Sequence, residues 1–385
     1  MTVRPSVPLG DEVPAAVAGR VFLQVGHRRV ARYRERVDSS LSGLVVTGDG
    51  ALARAGQLRE EGFEAALLVD EACYRVAAAT PEAPFPVLDD EPAPLFGDPL
   101  EHQMLAHLAF ANAALAPTGY VHAGAVGALE AAAVRVARLG DARVVLTVPV
   151  DAGWFQAGLV EQLADVLGRY PGPKALIVGG RLPDEVCATG LVRLLELVPG
   201  AGVLRAGLGA FGGLARGAGF AAFGADGSMR RAALPEPVKE VSRGGPGSPA
   251  VLFPELMGFF LGLTLAKRLG DEDQGCWCEV CQGGDLGRFT TMAHQAEAAG
   301  HNVAVLMEWI AQMGSIGAAV RGGWWRRRCR QALDSYAVWN ARIQQVPGFT
   351  APAELAAWAE LPDLQAERDV PAGPGVRAVG RGAAR

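Results

Sequence analysis

The chain has 385 residues, 50% of them hydrophobic and 20% charged, with a formal net charge of −5. That composition is globular and excludes wholesale disorder, a collagen-like fibre and a disulfide-stapled miniprotein. The mild acidity excludes indiscriminate nucleic-acid binding while leaving room for a local basic patch, and the length suits one large domain with a smaller one.

Residues 1–20 form an N-terminal extension. Asp11 and Glu12 interrupt it and it lacks an apolar core, so no signal peptide is expected. From 21 to 233 one theme repeats, a short apolar β-type run followed by an Ala/Leu/Arg-rich helical stretch. The runs are Val21–Gly26, Gly43–Asp49, Ala65–Asp70, Gly119–Gly124, Val144–Asp151, Ala175–Gly180, Val203–Gly207 and Phe220–Gly224. Their near-continuous apolar character predicts parallel strands buried on both faces. Helices are predicted over Gly50–Glu61, Pro99–Ala114, Ala125–Leu139, Phe155–Tyr170 and Pro183–Leu197. Eight strands alternating with helices make an α/β (β/α)8 TIM-type barrel, with an open doubly wound sheet as the alternative. The barrel count depends on Gly119–Gly124.

Residues 234–249 are rich in Pro, Gly and Ser and mark a linker or loop. Beyond it, 250–346 is a separate helical module, 347–368 a C-terminal segment and 369–385 a Gly/Pro/Ala/Arg-rich tail expected to be disordered. No run of about 18 uncharged apolar residues occurs, so no membrane span is expected.

The six cysteines are Cys73, Cys187, Cys276, Cys278, Cys281 and Cys329. Three within six residues do not make an extracellular disulfide framework, which places the chain in the cytoplasm. Cys276, Cys278 and Cys281, with His294 and His301 downstream, have the spacing of a zinc site. The stretch Phe289–Met313 reads as helical. The two histidines, seven residues apart, share one of its faces, so either could complete a tetrahedron. Four protein ligands leave no open position, so such a zinc is structural. The alternative is three buried or redox cysteines without metal.

Asp271–Met313 resembles the zinc module of the queuine/archaeosine tRNA-guanine transglycosylases. Cys276, Cys278 and Cys281 match that family's CxCxxC knot, and His301-Asn302 its His-Asn pair, with a shorter spacing from Cys281 to His301. Val203–Arg230 resembles the family's last two barrel strands more loosely, and the whole match covers about a third of the chain. The resemblance implies a (β/α)8 barrel carrying a structural Cys3His zinc, and base exchange at an N-glycosidic bond on tRNA, or on DNA. In that reaction a carboxylate attacks the ribose anomeric carbon, displaces guanine and later yields to an incoming purine or deazapurine. It also implies paired subunits, as a homodimer or heterodimer. Gly224 stands where the family carries its nucleophilic aspartate, and the family's Ser-Gly-Gly-Phe-Gln base-pocket segment is not recognisable here.

A relocated nucleophile would sit at a strand end on the C-terminal face. Asp226, Asp151 and Asp70 are the catalytic candidates, each with helix capping as the competing role, whereas Asp49 reads as a cap. Arg205, unusual in a buried strand, and Trp154, which follows Asp151, are candidate substrate-binding groups. In Gly322–Arg330 (GGWWRRRCR), Arg326 and Arg327 beside Trp324-Trp325 suit phosphate and base contact. The alternative is an amphipathic helix with its tryptophans packed inward. Gly207–Gly213 lacks a full dinucleotide fingerprint. Neither a Gly-x-Ser-x-Gly elbow nor a His-Glu-x-x-His motif occurs. Two functions therefore stand: an active base-exchange enzyme with a relocated carboxylate, or a non-catalytic nucleic-acid-binding or partner subunit that has lost the nucleophile.

Overall fold

A computed structural model describes residues 13–90, 97–180, 182–231, 235, 247–270, 272, 274–343 and 345–362. Most of the extension 1–20, the heart of the linker 234–249 and the tail 369–385 lie outside the described residues.

The barrel strands are β1 (Val21–Gly26), β2 (Gly43–Thr47), β3 (Ala66–Asp70), β4 (Ala114–Leu115), β5 (Val144–Asp151), β6 (Lys174–Gly179), β7 (Gly202–Ala206) and β8 (Ala221–Gly224). They pair in the order β3-β2-β1-β8-β7-β6-β5-β4, every pairing parallel. The sheet is a nearly closed α/β barrel. Alternate residues face inward, where Phe22, Val45, Leu68, Val145, Ile177, Leu204 and Phe220 form the inner core. The residues between them, such as Leu23, Val46, Val69 and Leu146, pack against the helices.

The helices around the barrel are α1 (Ala51–Glu60), α2 (Pro86–Asp89), α3 (Pro99–Leu108), α4 (Val126–Leu139), α5 (Leu159–Arg169), α6 (Asp184–Leu197) and α7 (Gly209–Ala215). The fourth strand differs from the sequence expectation. It begins at Ala114–Leu115, and Gly119–Gly124 is reduced to two bridges, Tyr120 to Ala78 and Val121 to Val150. Pro117 lies between the two pieces and has no N–H for a ladder, so the strand is split there. The predicted helix Pro99–Ala114 stops at Leu108 for a related reason. The Asn112 N–H donates to the Leu67 carbonyl at 2.8 Å, and its side-chain oxygen accepts from the Leu67 N–H at 2.8 Å. Asn112 thus stands in for a strand neighbour and bridges the β3–β4 seam.

The C-terminal region begins with a hairpin of β9 (Ala250–Phe253) and β10 (Gly258–Leu261), followed by α8 (Gly262–Leu269). A second short hairpin, β11 (Gly275–Cys276) and β12 (Gly284–Asp285), precedes two long helices, α9 (Gln295–Gly314) and α10 (Ala318–Ile343). Residues 347–362 return to the barrel, where α11 (Ala353–Glu360) packs on α6 and α7. Phe211 of α7 joins the two regions. It stacks on Trp325 at 5.3 Å and meets Trp309 edge-on at 5.8 Å.

Candidate metal centre and barrel mouth

The Cys-Trp-Cys-Glu-Val-Cys stretch folds into a tight knuckle. The N–H groups of Cys281 and Gln282 donate to the Cys278 carbonyl at 3.2 and 3.0 Å, and Gly283 donates to the Cys276 carbonyl at 2.8 Å. Gln282 (φ 49°) and Gly283 (φ 92°) both take left-handed conformations, turning the chain sharply enough to aim all three sulfurs inward. Helix α9 delivers His301 from the opposite side. Its Nδ1 lies 3.6, 3.4 and 3.2 Å from the sulfurs of Cys276, Cys278 and Cys281.

The four donor atoms lie within 4.8 Å of one another. A tetrahedron with metal–sulfur bonds of about 2.3 Å and a metal–nitrogen bond of about 2.0 Å has a sulfur–nitrogen edge of about 3.5 Å. The observed contacts match that edge, so the group could hold a metal ion. The groups that hold the donor side chains suit one as well. His301 Nε2 donates to the Leu252 carbonyl at 2.7 Å, which turns Nδ1 toward the sulfurs, and Arg288 donates to the Cys281 sulfur at 3.2 Å. His294 is outside the cluster. It sits at the start of α9, where its ring accepts from the Thr291 N–H at 3.5 Å.

The three catalytic candidates are all held by hydrogen bonds, some local and some from distant strands and loops. Asp226 accepts from the Ser228 N–H at 3.2 Å and its hydroxyl at 2.5 Å, and pairs with Arg29 at 2.8 Å. Asp151 accepts from the Gly153 N–H at 2.7 Å and the Tyr120 hydroxyl at 2.8 Å. Asp70 accepts from Gln24 at 2.8 Å, the Tyr74 hydroxyl at 2.9 Å, the Ala72 N–H at 2.9 Å and Thr47 at 3.3 Å. Each aspartate therefore binds the backbone N–H two residues ahead, as an N-cap for Asp151 and Asp226 and as an Asx turn for Asp70. Asp49 bonds the N–H of Gly50 and is otherwise exposed.

Arg205 belongs to the same buried network as Asp70. It donates to the Tyr74 hydroxyl at 2.9 Å and to the carbonyls of Ser228 and Arg231 at 2.8 and 2.7 Å. Its left-handed backbone (φ 54°) sits at an irregularity in the β7–β8 pairing, which explains how a charged residue fits this strand. Burial pushes the Asp70 carboxyl up from its ordinary range, opposed by the Arg205 charge, and burial likewise pushes the Tyr74 phenol well up. Trp154 is fully buried, with its indole N–H directed to the Val121 carbonyl at 3.3 Å, and presents no face to a base.

Gly224 points into this crowded mouth. A Cβ there would fall 2.3 Å from the Met229 carbonyl oxygen and 2.7 Å from the Arg230 nitrogen. The turn after β8 thus fills the space that a side chain on the last strand would need. Beneath it, Arg230 lies 3.6 Å from the centre of the Phe259 ring, and burial lowers its guanidinium to about 10.

The basic stretch belongs to α10, and most of it is spent on internal contacts. Arg326 donates to the Leu361 carbonyl, Arg330 to the Ala359 carbonyl and Arg216 to the Pro362 carbonyl. Together they satisfy carbonyls at and just beyond the C-terminal end of α11, where cations are favoured. Arg328 lies 4.8 Å above the Trp309 ring and donates to Gln312. Arg327 is exposed.

Sequence reasoning passed over two further groups. Glu354 of α11 accepts from the Gly209 N–H at 2.7 Å, and burial of its carboxylate pushes the group up. Glu71, directly after Asp70, faces an open cleft at the C-terminal ends of β1, β2, β3 and β8. Behind it stands His107, which is 1% exposed, with Nε2 3.2 Å from the Glu71 carboxylate. Neither residue belongs to a recognisable motif. The only sequence signal was an acid at a strand end and a histidine inside an apolar helix.

The chain matches no protein-family model, no curated protein and no solved structure. Among the described residues, no helix is long and apolar enough to cross a membrane.

Proposed function

We propose that the chain is a non-catalytic relative of the tRNA-guanine transglycosylases, a nucleic-acid-binding subunit that keeps the barrel and its metal module without the base-exchange chemistry. One observation carries this: the Gly224 position has no room for a nucleophilic side chain, because the Met229 backbone lies against it. The engagement of Asp151 and Asp226 as caps, and of Asp70 in a buried hydrogen-bond network, supports the same reading. Base exchange needs one carboxylate free to attack C1′ and a second free to move protons at the base. Here the candidate carboxylates are held by backbone N–H groups, hydroxyls and Arg29.

Zinc is the ion that three thiolates and an imidazole select, and a closed four-ligand site gives it a structural role. When bound it supplies cross-linking rather than chemistry. His301 and the knuckle hold it, while Asn302 and the His301 Nε2–H tie the site to β9. Three such thiols suit a reducing, cytoplasmic setting. The partner is tRNA, with DNA second, met at the exposed face of α10 around Arg327, either by a pair of these chains or by a heterodimer.

The test is incorporation of labelled guanine into bulk tRNA and into duplex DNA by zinc-loaded protein, run beside a binding titration with the same nucleic acids. Binding without incorporation supports the proposal. Incorporation overturns it.

A further inference from the structure

The cleft in front of Glu71 has a volume of about 530 Å³, within the range of small-ligand sites, whereas the pocket beside Glu354 holds about 80 Å³. It opens at the C-terminal mouth and is lined by His27, Arg28, Arg29, Arg75, Glu71 and Asp226, among others. Several of these charges are already spent. Arg29 pairs with Asp226 at 2.8 Å, and His27 reaches the Thr47 carbonyl at 3.3 Å and Asp49 at 3.7 Å. Arg28 and Arg75 are exposed and have no acid partner among the described residues. Two guanidiniums left open on one cleft favour a doubly charged anion, which they can grip through paired N–H groups.

Glu71 adds a second requirement. Its side chain is 18% exposed and is backed by the Gln103 amide and by His107. The His107 ring is buried, and neither nitrogen has a hydrogen-bond partner in line, although Nε2 lies 3.2 Å from Glu71. A buried imidazole one small rotation from a carboxylate is a positioning group, ready to fix that carboxylate when something outside engages it. The carboxylate can only accept, so the ligand must bring a hydroxyl or amino donor. Ala72, next in the chain and also lining the cleft, is held left-handed at φ 59°, as residues at binding sites often are.

We propose that this cleft binds a phosphate monoester that also carries a hydroxyl group. Arg28 and Arg75 take the phosphate and Glu71, positioned by His107, takes the hydroxyl. A free sugar phosphate and the 5′-phosphorylated end of an RNA strand, with its 2′-hydroxyl, both present that chemistry. The site is separate from the α10 face, so its failure leaves the binding proposed for Arg327 standing, and the reverse.

Calorimetric titration of the full zinc-loaded chain with ribose 5-phosphate, ribose and inorganic phosphate tests it. Ribose 5-phosphate is expected to bind more tightly than inorganic phosphate, and ribose not at all. The Arg28→Ala/Arg75→Ala variant should weaken ribose 5-phosphate at least about tenfold. Glu71→Gln should weaken it severalfold while leaving inorganic phosphate unchanged, with unaltered melting temperatures showing that both variants fold. A 5′-phosphorylated RNA trinucleotide that outbinds both ribose 5-phosphate and its own 5′-hydroxyl form assigns the site to strand ends. The opposite ranking assigns it to the free sugar phosphate. Absence of binding at millimolar ribose 5-phosphate, or equal binding by the double arginine variant, overturns the proposal.

Discussion

His301 and Leu252 are joined by a single hydrogen bond, 2.7 Å from imidazole Nε2 to the carbonyl oxygen, that ties the Cys3His cluster to the β9–β10 hairpin. The other ring nitrogen faces three sulfurs. The next residue, Asn302, grips the same strand with both ends of its amide, accepting from the Leu252 N–H at 2.7 Å and donating to the Ala250 carbonyl at 2.9 Å. The His-Asn pair therefore divides two tasks, one residue facing the three sulfurs and both serving the strand.

That division gives separable outcomes. If the cluster holds zinc as proposed, His301→Ala removes a ligand, so the purified variant should lack the equivalent of zinc that the wild type carries and melt well below it, as strong chelation should also achieve for the wild type. Asn302→Ala removes one buried and one half-buried hydrogen bond to backbone groups and should cost about 2–3 kcal/mol, yet retain the metal. Metal analysis alongside thermal melts distinguishes them. Equal zinc loss in both variants would show that the strand contact, not the ligand set, holds the ion.

The Gly224 position leads to a second outcome. A methyl group there meets Met229 and Arg230 backbone rather than the end of a flexible side chain. Gly224→Ala should therefore cost about 1–3 kcal/mol in denaturant unfolding, and Gly224→Asp at least as much. Neither should incorporate guanine. An aspartate variant that folds at full stability would mean that the turn after β8 moves aside readily.

How much of this was legible in the sequence depended on the length scale of each signal. Seven of the eight strands announced themselves as continuous apolar runs, and the cysteine knot carried its own spacing. The fourth strand was misplaced because its two halves straddle Pro117, and its neighbour across the seam is the Asn112 side chain, which no period reveals. The candidate substrate groups fared differently. Trp154 and Arg205 were noticed for their type, but their partners lie far along the chain, at Val121, Tyr74, Ser228 and Arg231. Whether an aspartate at a strand end caps or catalyses is likewise settled by contacts and not by position.

Glu354 makes the pH dependence of stability testable. Burial raises its carboxyl in the folded chain, so between the ordinary carboxylate range, about pH 4.3, and the raised value the folded state holds more protons than the unfolded one. Its contribution is then most favourable at low pH and is lost as pH rises through the folded value. Glu354→Gln can keep the acceptor for the Gly209 N–H while removing the charge. The melting temperature of the variant should gain on the wild type as pH goes from 5 to 8. A gap that stays constant over that range would mean the carboxylate is already neutralised by its surroundings.

Within α10, Trp325 and Arg327 are two residues apart and face opposite ways. Trp325 is 1% exposed and stacks on Phe211 with the rings 15° from parallel, where it couples the helical region to α7. Trp325→Ala should cost about 3–5 kcal/mol, and any loss of nucleic-acid binding should follow the loss of fold. Arg327 is exposed, so Arg327→Glu should change stability by no more than about 0.5 kcal/mol. If α10 meets a phosphate backbone, the same variant should weaken tRNA and DNA alike, irrespective of sequence. It should also flatten the dependence of affinity on salt, since one fewer counterion is released. Unchanged affinity at every salt concentration would remove α10 as the nucleic-acid face, because Arg326, Arg328 and Arg330 are already engaged with Leu361, Gln312 and Ala359.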